Sequence, residues 1–248
     1  MSDTDTADDL AIREPPTVLV PVEVLEGESI SESLAAFLAP ARVVVLGYHV
    51  LPEQTPTEQA SMQFEDRARE AVADLAAVFE GAGGGVETRV AFTHDREQTV
   101  ERVASEVGAT AVLLPNPVGA VSDVLVPFRG AIDRDRLADL VATLLAEGDG
   151  TVTLWGIERE GFDAAGTVEH ARESLRERGL DAARIASETS AAESPIHDIA
   201  VRSADFDVIV MGEGEESLWA ALLGDDPERV AENAVAPVLV VREREDGA

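Results

Sequence analysis

Cysteine and lysine are both missing from the 248 residues. Without cysteine there can be no disulfide, no zinc–thiolate centre and no thiol nucleophile. Without lysine there can be no phosphate-gripping Walker lysine, no Schiff base and no Ser–Lys dyad. All 19 basic residues are therefore arginine, from Arg13 to Arg244. Long apolar runs are also lacking: stretches such as Arg42 to Gly47 fall far short of the ~20 residues that span a bilayer, so no membrane insertion is expected. The acidic, polar N-terminus lacks the pattern of a secretory signal. A soluble, cytoplasmic protein is expected.

Positive charge is scarce. Against 19 arginines stand 49 acidic residues, giving a net charge of −30 and a pI near 4.2. In dilute buffer such charge repels itself and weakens the compact state. In molar salt the Debye length shrinks to about 3 Å and the repulsion is screened. The acid excess, the missing lysine and an aromatic content of 4% together resemble proteins of salt-in haloarchaea. Nucleic acid and anionic membrane surfaces are poor partners for this chain, because phosphate binding requires clustered positive charge.

What is present is an alternation of short apolar runs with amphipathic segments. Residues 1–15 read as a disordered acidic tail. Strands are predicted at Thr17–Val22, Arg42–Val50, Val86–Phe92 and Thr110–Leu114. Between them, helices are predicted at Ser29–Leu38, Thr57–Glu80 and Glu97–Val107. The pattern then restarts, with Asp123-Val-Leu-Val-Pro-Phe128 echoing Thr17-Val-Leu-Val-Pro-Val22 and Trp155-Gly-Ile157 echoing Leu46-Gly-Tyr48. The second round predicts strands at Asp123–Phe128, Thr151–Ile157, Arg184–Thr189, Asp207–Met211 and Pro237–Arg242. Its helices are predicted at Asp133–Leu145, Thr167–Arg178, Ser194–Ala204 and Asp226–Asn233. Alternating strands and helices imply a parallel sheet built from right-handed crossovers, and the repeat implies two such units.

The segments Val124–Phe128, Asp207-Val-Ile-Val-Met-Gly212 and Pro227-Glu-Arg-Val230 leading to Ala236-Pro-Val-Leu-Val-Val241 resemble the universal stress protein family. The resemblance spans residues 122–242 and, more weakly, 17–117. It implies an α/β fold of two tandem open parallel-sheet units, Rossmann-like and similar to the adenine nucleotide alpha-hydrolase fold, forming a pseudo-dimer. On this reading residues 16–119 and 120–243 are the two domains, and 244–248 a tail. The first unit looks truncated, since between Leu114 and Asp123 there is no room for the family's last helix and strand. Family members commonly pair through that last strand, so an altered internal pairing, or a dimer of whole chains, is expected.

Family members that bind ATP carry a glycine pattern after the fourth strand: Gly, two residues, Gly, nine residues, Gly, then Ser or Thr. Glycines let backbone approach phosphates, and helix N-terminal amides hold the charge. Here Gly214 and Gly224 keep the long spacing, Gly212 stands one residue too close, and Asp225 takes the Ser/Thr position. Glu215 and Glu216 add negative charge where phosphates would lie. Like charges at 4 Å cost about 1 kcal/mol in water and about 4 kcal/mol at an effective dielectric of 20. In the first unit the loop Pro115-Asn-Pro-Val-Gly119 has one glycine and two prolines that cannot donate. The family's other nucleotide contact, an Asp after the first strand, corresponds to Glu23 in the first unit and Arg129 in the second. Arg129 could grip an anion or a carboxylate of the other unit.

Of the four histidines, His49 and His94 both end first-unit strands, and His94-Asp95 is the most enzyme-like pair. No Gly-x-Ser-x-Gly elbow occurs, and no Gly-x-Gly-x-x-Gly follows either first strand. The resemblance implies a non-catalytic regulatory, stress-response binding module with degenerate nucleotide sites. It would have no cofactor and no metal, and would act on a protein partner as a pseudo-dimer or homo-oligomer. Two alternatives stand beside it. One is an ATP- or AMP-binding protein that uses Gly212, Gly214, Gly224, Asp225 and Arg129. The other is a hydrolase or other enzyme with a His49/His94 site.

Overall fold

The computed structural model describes residues 10–25, 28–130, 132–191, 195–212 and 236–244. The first round of the pattern forms β1 (Thr17–Glu23), α1 (Glu32–Leu38), β2 (Arg42–Val50), α2 (Thr57–Gly81), β3 (Val86–Thr93), α3 (Arg96–Glu106) and β4 (Ala111–Leu114). The second forms β5 (Asp123–Phe128), α4 (Arg134–Leu144), β6 (Thr151–Glu158), α5 (Ala164–Glu177), β7 (Ile185–Ala191), α6 (Pro195–Arg202), β8 (Val208–Gly212) and β9 (Val238–Val241). The helix expected over Asp226–Asn233 lies outside the described residues, as does Ser194.

Helix starts follow the sequence's short acceptors. Ser31 accepts from the Leu34 amide, Asp95 from Gln98, Asp133 from Arg136 and Asp163 from Gly166, each satisfying an orphan first-turn donor. Ser31 is the reason α1 begins three residues later than its apolar spacing suggests. α2 begins at Thr57, as its spacing predicts, but Pro56 takes the cap position and supplies no side-chain bond.

The strands form one nine-stranded sheet in the order β3-β2-β1-β4-β9-β8-β5-β6-β7. This corrects the expectation of two open sheets, one to each unit: the strands of both rounds share a single sheet. All neighbours are parallel except β4 and β9, which run antiparallel with Ala111 opposite Val241 and Leu114 opposite Val238. No strand lies between β4 and β5 in the chain, and β9 covers the edge of β4 from within the same chain. A second chain is not needed to complete it.

Packing makes the two halves, β1–β4 and β5–β9, a single body. On one sheet face Val18, Val20, Val43, Val45, Leu113, Leu239, Val210, Val124, Val126 and Leu154 belong to one unbroken buried cluster, covered by α1, α2, α4 and α5. The opposite face carries two separate clusters, one of Leu19, Val44, Leu46 and Val112 with α3, the other of Leu125, Trp155, Ile157, Ile209 and Met211 with α6. Each such side chain contributes roughly 1.5–3 kcal/mol on burial.

At the amino edge of the second half, Asp207 ties β5 to β8. Its Oδ2 accepts from the amides of Ser122 (2.8 Å) and Asp123 (2.9 Å) and from the Ser122 hydroxyl (3.0 Å). Burial pushes this carboxyl up, but these hydrogen bonds outweigh it and hold it below the ordinary range. A depressed carboxyl stabilises the fold above its unfolded pKa, and the contribution is lost as pH falls through the folded value. We expect Asp207→Asn to cost about 1–2 kcal/mol at neutral pH, the usual worth of bonds to a charged group discounted for partial exposure. Denaturant titrations across pH should show the difference from wild type disappearing in acid.

Candidate functional site at the carboxyl ends of the strands

In open α/β sheets, ligands bind beyond the carboxyl ends of the strands. In the first half that rim is made by Glu23 ending β1, by His49, Val50 and Leu51 at the end of β2, and by Thr93, His94 and Asp95 after β3. The parallel register sets Glu23 beside Tyr48, so its carboxylate reaches the residues that follow. Glu23 Oε1 lies 3.0 Å from His49 Nδ1 and accepts the Val50 amide at 3.0 Å. The Glu23 amide itself donates to Glu28 Oε2 at 2.7 Å. Both side chains of the Glu23–His49 pair are mostly buried, 13% and 21% exposed. The imidazole is flanked edge-on by Phe64 and Phe92, with ring centroids 6.3 and 6.5 Å away.

Tyr48, next along β2, points to the other face and is 1% exposed. Burial pushes its hydroxyl well above the ordinary phenol range, against the pull of Arg96. The Arg96 guanidinium lies 5.4 Å from the ring centroid, a cation–π contact.

The pair singled out as most enzyme-like separates into two structural roles. Asp95 caps α3, and His94 Nδ1 lies 3.2 Å from the Leu51 carbonyl. His49 is engaged by Glu23 instead. The two imidazoles thus share a rim but take different partners. Among the described residues, no group of three or more His, Asp or Glu side chains is placed to hold a metal ion.

In the second half, Gly214, Gly224 and Asp225 lie outside the described residues. Gly212 ends β8, and a Cβ there would come within 2.9 Å of Ile132 Cγ1 and 3.1 Å of Cδ1. The close approach that this glycine permits is taken by the chain's own Ile132. Arg129 directly follows β5. Beside it, a Cβ on Gly130 would lie 3.2 Å from Nη2 of Arg159, which also sits over the Phe162 ring at 5.8 Å. Two arginines therefore stand after the neighbouring strands β5 and β6.

Four residues of this rim escaped the sequence reading: Glu28, Phe64, Ile132 and Arg159. Ile132 left a readable sign. It is a large apolar residue directly before the helix cap Asp133, the position from which a side chain folds over the first turn. Glu28 and Arg159 left none, because acidic and basic residues are spread throughout the loops.

No family model matches the sequence, and no curated protein matches it. Among solved structures, a universal stress protein from Archaeoglobus fulgidus DSM 4304 matches with a TM-score of 0.62 at 14% identity, over 94% of this chain and 98% of that one. A functionally unknown protein from Pseudomonas aeruginosa PAO1 matches with a TM-score of 0.44 at 17% identity, over 94% of each chain. The first match defines the class of fold: a mostly parallel, open α/β sheet of the universal stress protein type. Among the described residues no helix is long and apolar enough to cross a membrane.

Proposed function

We propose that this chain is a non-catalytic regulatory protein of the universal stress type, cytoplasmic and adapted to high salt. Its two tandem halves act as an internal pseudo-dimer, and its nucleotide sites are degenerate. The observation that carries this reading is Glu23. The carboxylate at the position the resemblance assigns to nucleotide contact is already bonded to His49 and to the Val50 amide. Gly212, closed over by Ile132, supports the same reading in the second half. Support for the tandem arrangement comes from the sheet order, in which β3-β2-β1-β4 and β7-β6-β5-β8 run inward to β9 from opposite edges. The output is then contact with another protein.

The four histidines offer a direct test, because only His49 sits in the Glu23 site. Imidazole NMR signals are followed while Mg-ATP, and separately AMP, are titrated in at molar KCl. The reading expects the His49 signal to stay in place. A saturable shift of His49 alone would mean that Glu23 releases its internal partners to a nucleotide.

One observation favours a second reading, adenine-nucleotide binding by the second half. Arg129 and Arg159 stand after β5 and β6, on the rim that leads to Gly212. A cation would then have to offset Asp225.

A further inference from the structure

The segment before β1 was expected to be a disordered tail through residue 15. From residue 10 onward it is instead laid against the other half of the molecule. The Arg13 and Glu14 amides donate to Asp139 Oδ1 and Oδ2, each at 3.1 Å. Asp139 lies on α4, is fully buried, and is bonded by Arg178 Nε at 2.5 Å. The Ala11 amide donates to the Arg178 carbonyl at 3.2 Å, and Ile12 packs on the large cluster. The Arg13 side chain reaches Asp135 at 2.7 Å and Glu177 at 3.6 Å, while Arg244, just past β9, meets Glu14 at 3.3 Å and Asp133 at 3.4 Å.

Three residues after Glu14 the chain enters β1, in the first half. The segment therefore crosses the junction between the halves and is anchored on the far side. That junction has little else in the sheet plane: β4 and β9 oppose one another over four residue pairs. Buried Arg136 adds bonds from α4 to the Ala109, Arg242 and Glu243 carbonyls, and Arg242 reaches Glu101 and Ser105 on α3.

We propose that residues 10–16 are a latch that holds the two halves in one orientation, with the buried carboxylate of Asp139 as its seat. Two backbone amides from the latch complete the hydrogen bonding of a carboxylate that has no access to water. When the latch lifts, Asp139 keeps Arg178 but loses both amides, and α4 is no longer tied to the strand that begins the first half. The grip is made by backbone donors, so it does not depend on the identity of the Arg13 side chain. The surrounding ion pairs are exposed and add little by themselves.

The sequence supplies its own reporter. Arg13 is the first basic residue and there is no lysine, so the first trypsin site of the chain lies inside the latch. Wild type, Asp139→Asn and Ile12→Asp are compared in molar KCl for cleavage after Arg13 and for amide exchange in segments 111–114 and 238–241, with 42–50 as internal control. Ile12→Asp leaves the Asp139–Arg178 pair whole, which guards against a general loss of folding. Asp139→Asn should be cut roughly tenfold faster, since bonds to a charged group are each worth about that factor, and Ile12→Asp should also be cut faster, because a carboxylate is expelled from the apolar cluster on which Ile12 packs. Both should also exchange faster at β4 and β9, with β2 unchanged. Equal cutting of wild type and variants would show that the latch has no seat. Faster cutting with unchanged exchange at β4 and β9 would show that it does not hold the halves. Either result overturns the proposal.

Discussion

Arg178→Met is expected to destabilise the protein by about 3–5 kcal/mol, the usual cost of leaving one member of a buried ion pair without its partner. Arg178 and Asp139 are each 1% exposed at the side chain and meet at 2.5 Å. Arg178 also donates to the Ser174 carbonyl at 3.1 Å and to Asp135 at 3.1 Å, so one guanidinium ties α5 to α4. Burial pushes the Asp135 carboxyl up, but the hydrogen bond from Arg178 and the charges of Arg13, Arg178 and Arg244 outweigh it and leave it below its ordinary range. For a chain of this size the loss corresponds to a fall in melting temperature on the order of 10 °C. Replacing both members, Asp139→Leu with Arg178→Met, removes the stranded charge and should recover part of the loss. Recovery should be incomplete, because the Arg13 and Glu14 amides then lose their acceptor. Thermal melts of the single and double variants in one salt concentration check both statements. A double variant less stable than Arg178→Met would contradict them.

The second large effect is expected at the junction strand. Leu239 is fully buried in β9, paired with Val210 on one side and Leu113 on the other. Truncation to alanine should cost about 2–5 kcal/mol through lost burial and the cavity left behind. Because the cluster containing Leu239 runs unbroken through both halves, the variant should melt in one cooperative transition at lower temperature. Two separated transitions in calorimetry, with the first half keeping its wild-type temperature, would mean that the halves fold independently of β9.

Much of the framework could be read from the chain itself. Valine-rich runs gave most strand positions within a residue or two, and the restart of the pattern at Asp123 coincides with the start of β5. That no strand fits between Leu114 and Asp123 was also legible, but not which strand would lie beside β4. Pairing β4 antiparallel with β9 joins residues more than a hundred positions apart, and no local pattern encodes that choice. The latch was illegible for a related reason. Its donors are backbone amides, its acceptor Asp139 sits inside a helix among other acidic residues, and Leu10 to Glu14 has no apolar period to suggest a packed segment. At the site, Glu23 and His49 were each recognised as strand-end residues. Their pairing needed the parallel register of β1 with β2, which sets Glu23 alongside Tyr48 and brings His49 within reach. His94 drew attention by standing beside Asp95, but Asp95 is turned to the first amides of α3.

The central functional claim, that the chain has closed its nucleotide sites, is tested most directly by thermal melting in molar KCl with and without Mg-ATP and AMP. The comparison is made on the wild type and on Asp225→Ser. A ligand at 100 times its dissociation constant adds about 2.7 kcal/mol, which in a chain of this length raises the melting temperature by roughly 5–10 °C. The account predicts no shift in the wild type; a shift confined to Asp225→Ser would show a site that the chain has blocked with its own carboxylate. A rise in the wild type with either nucleotide would contradict it.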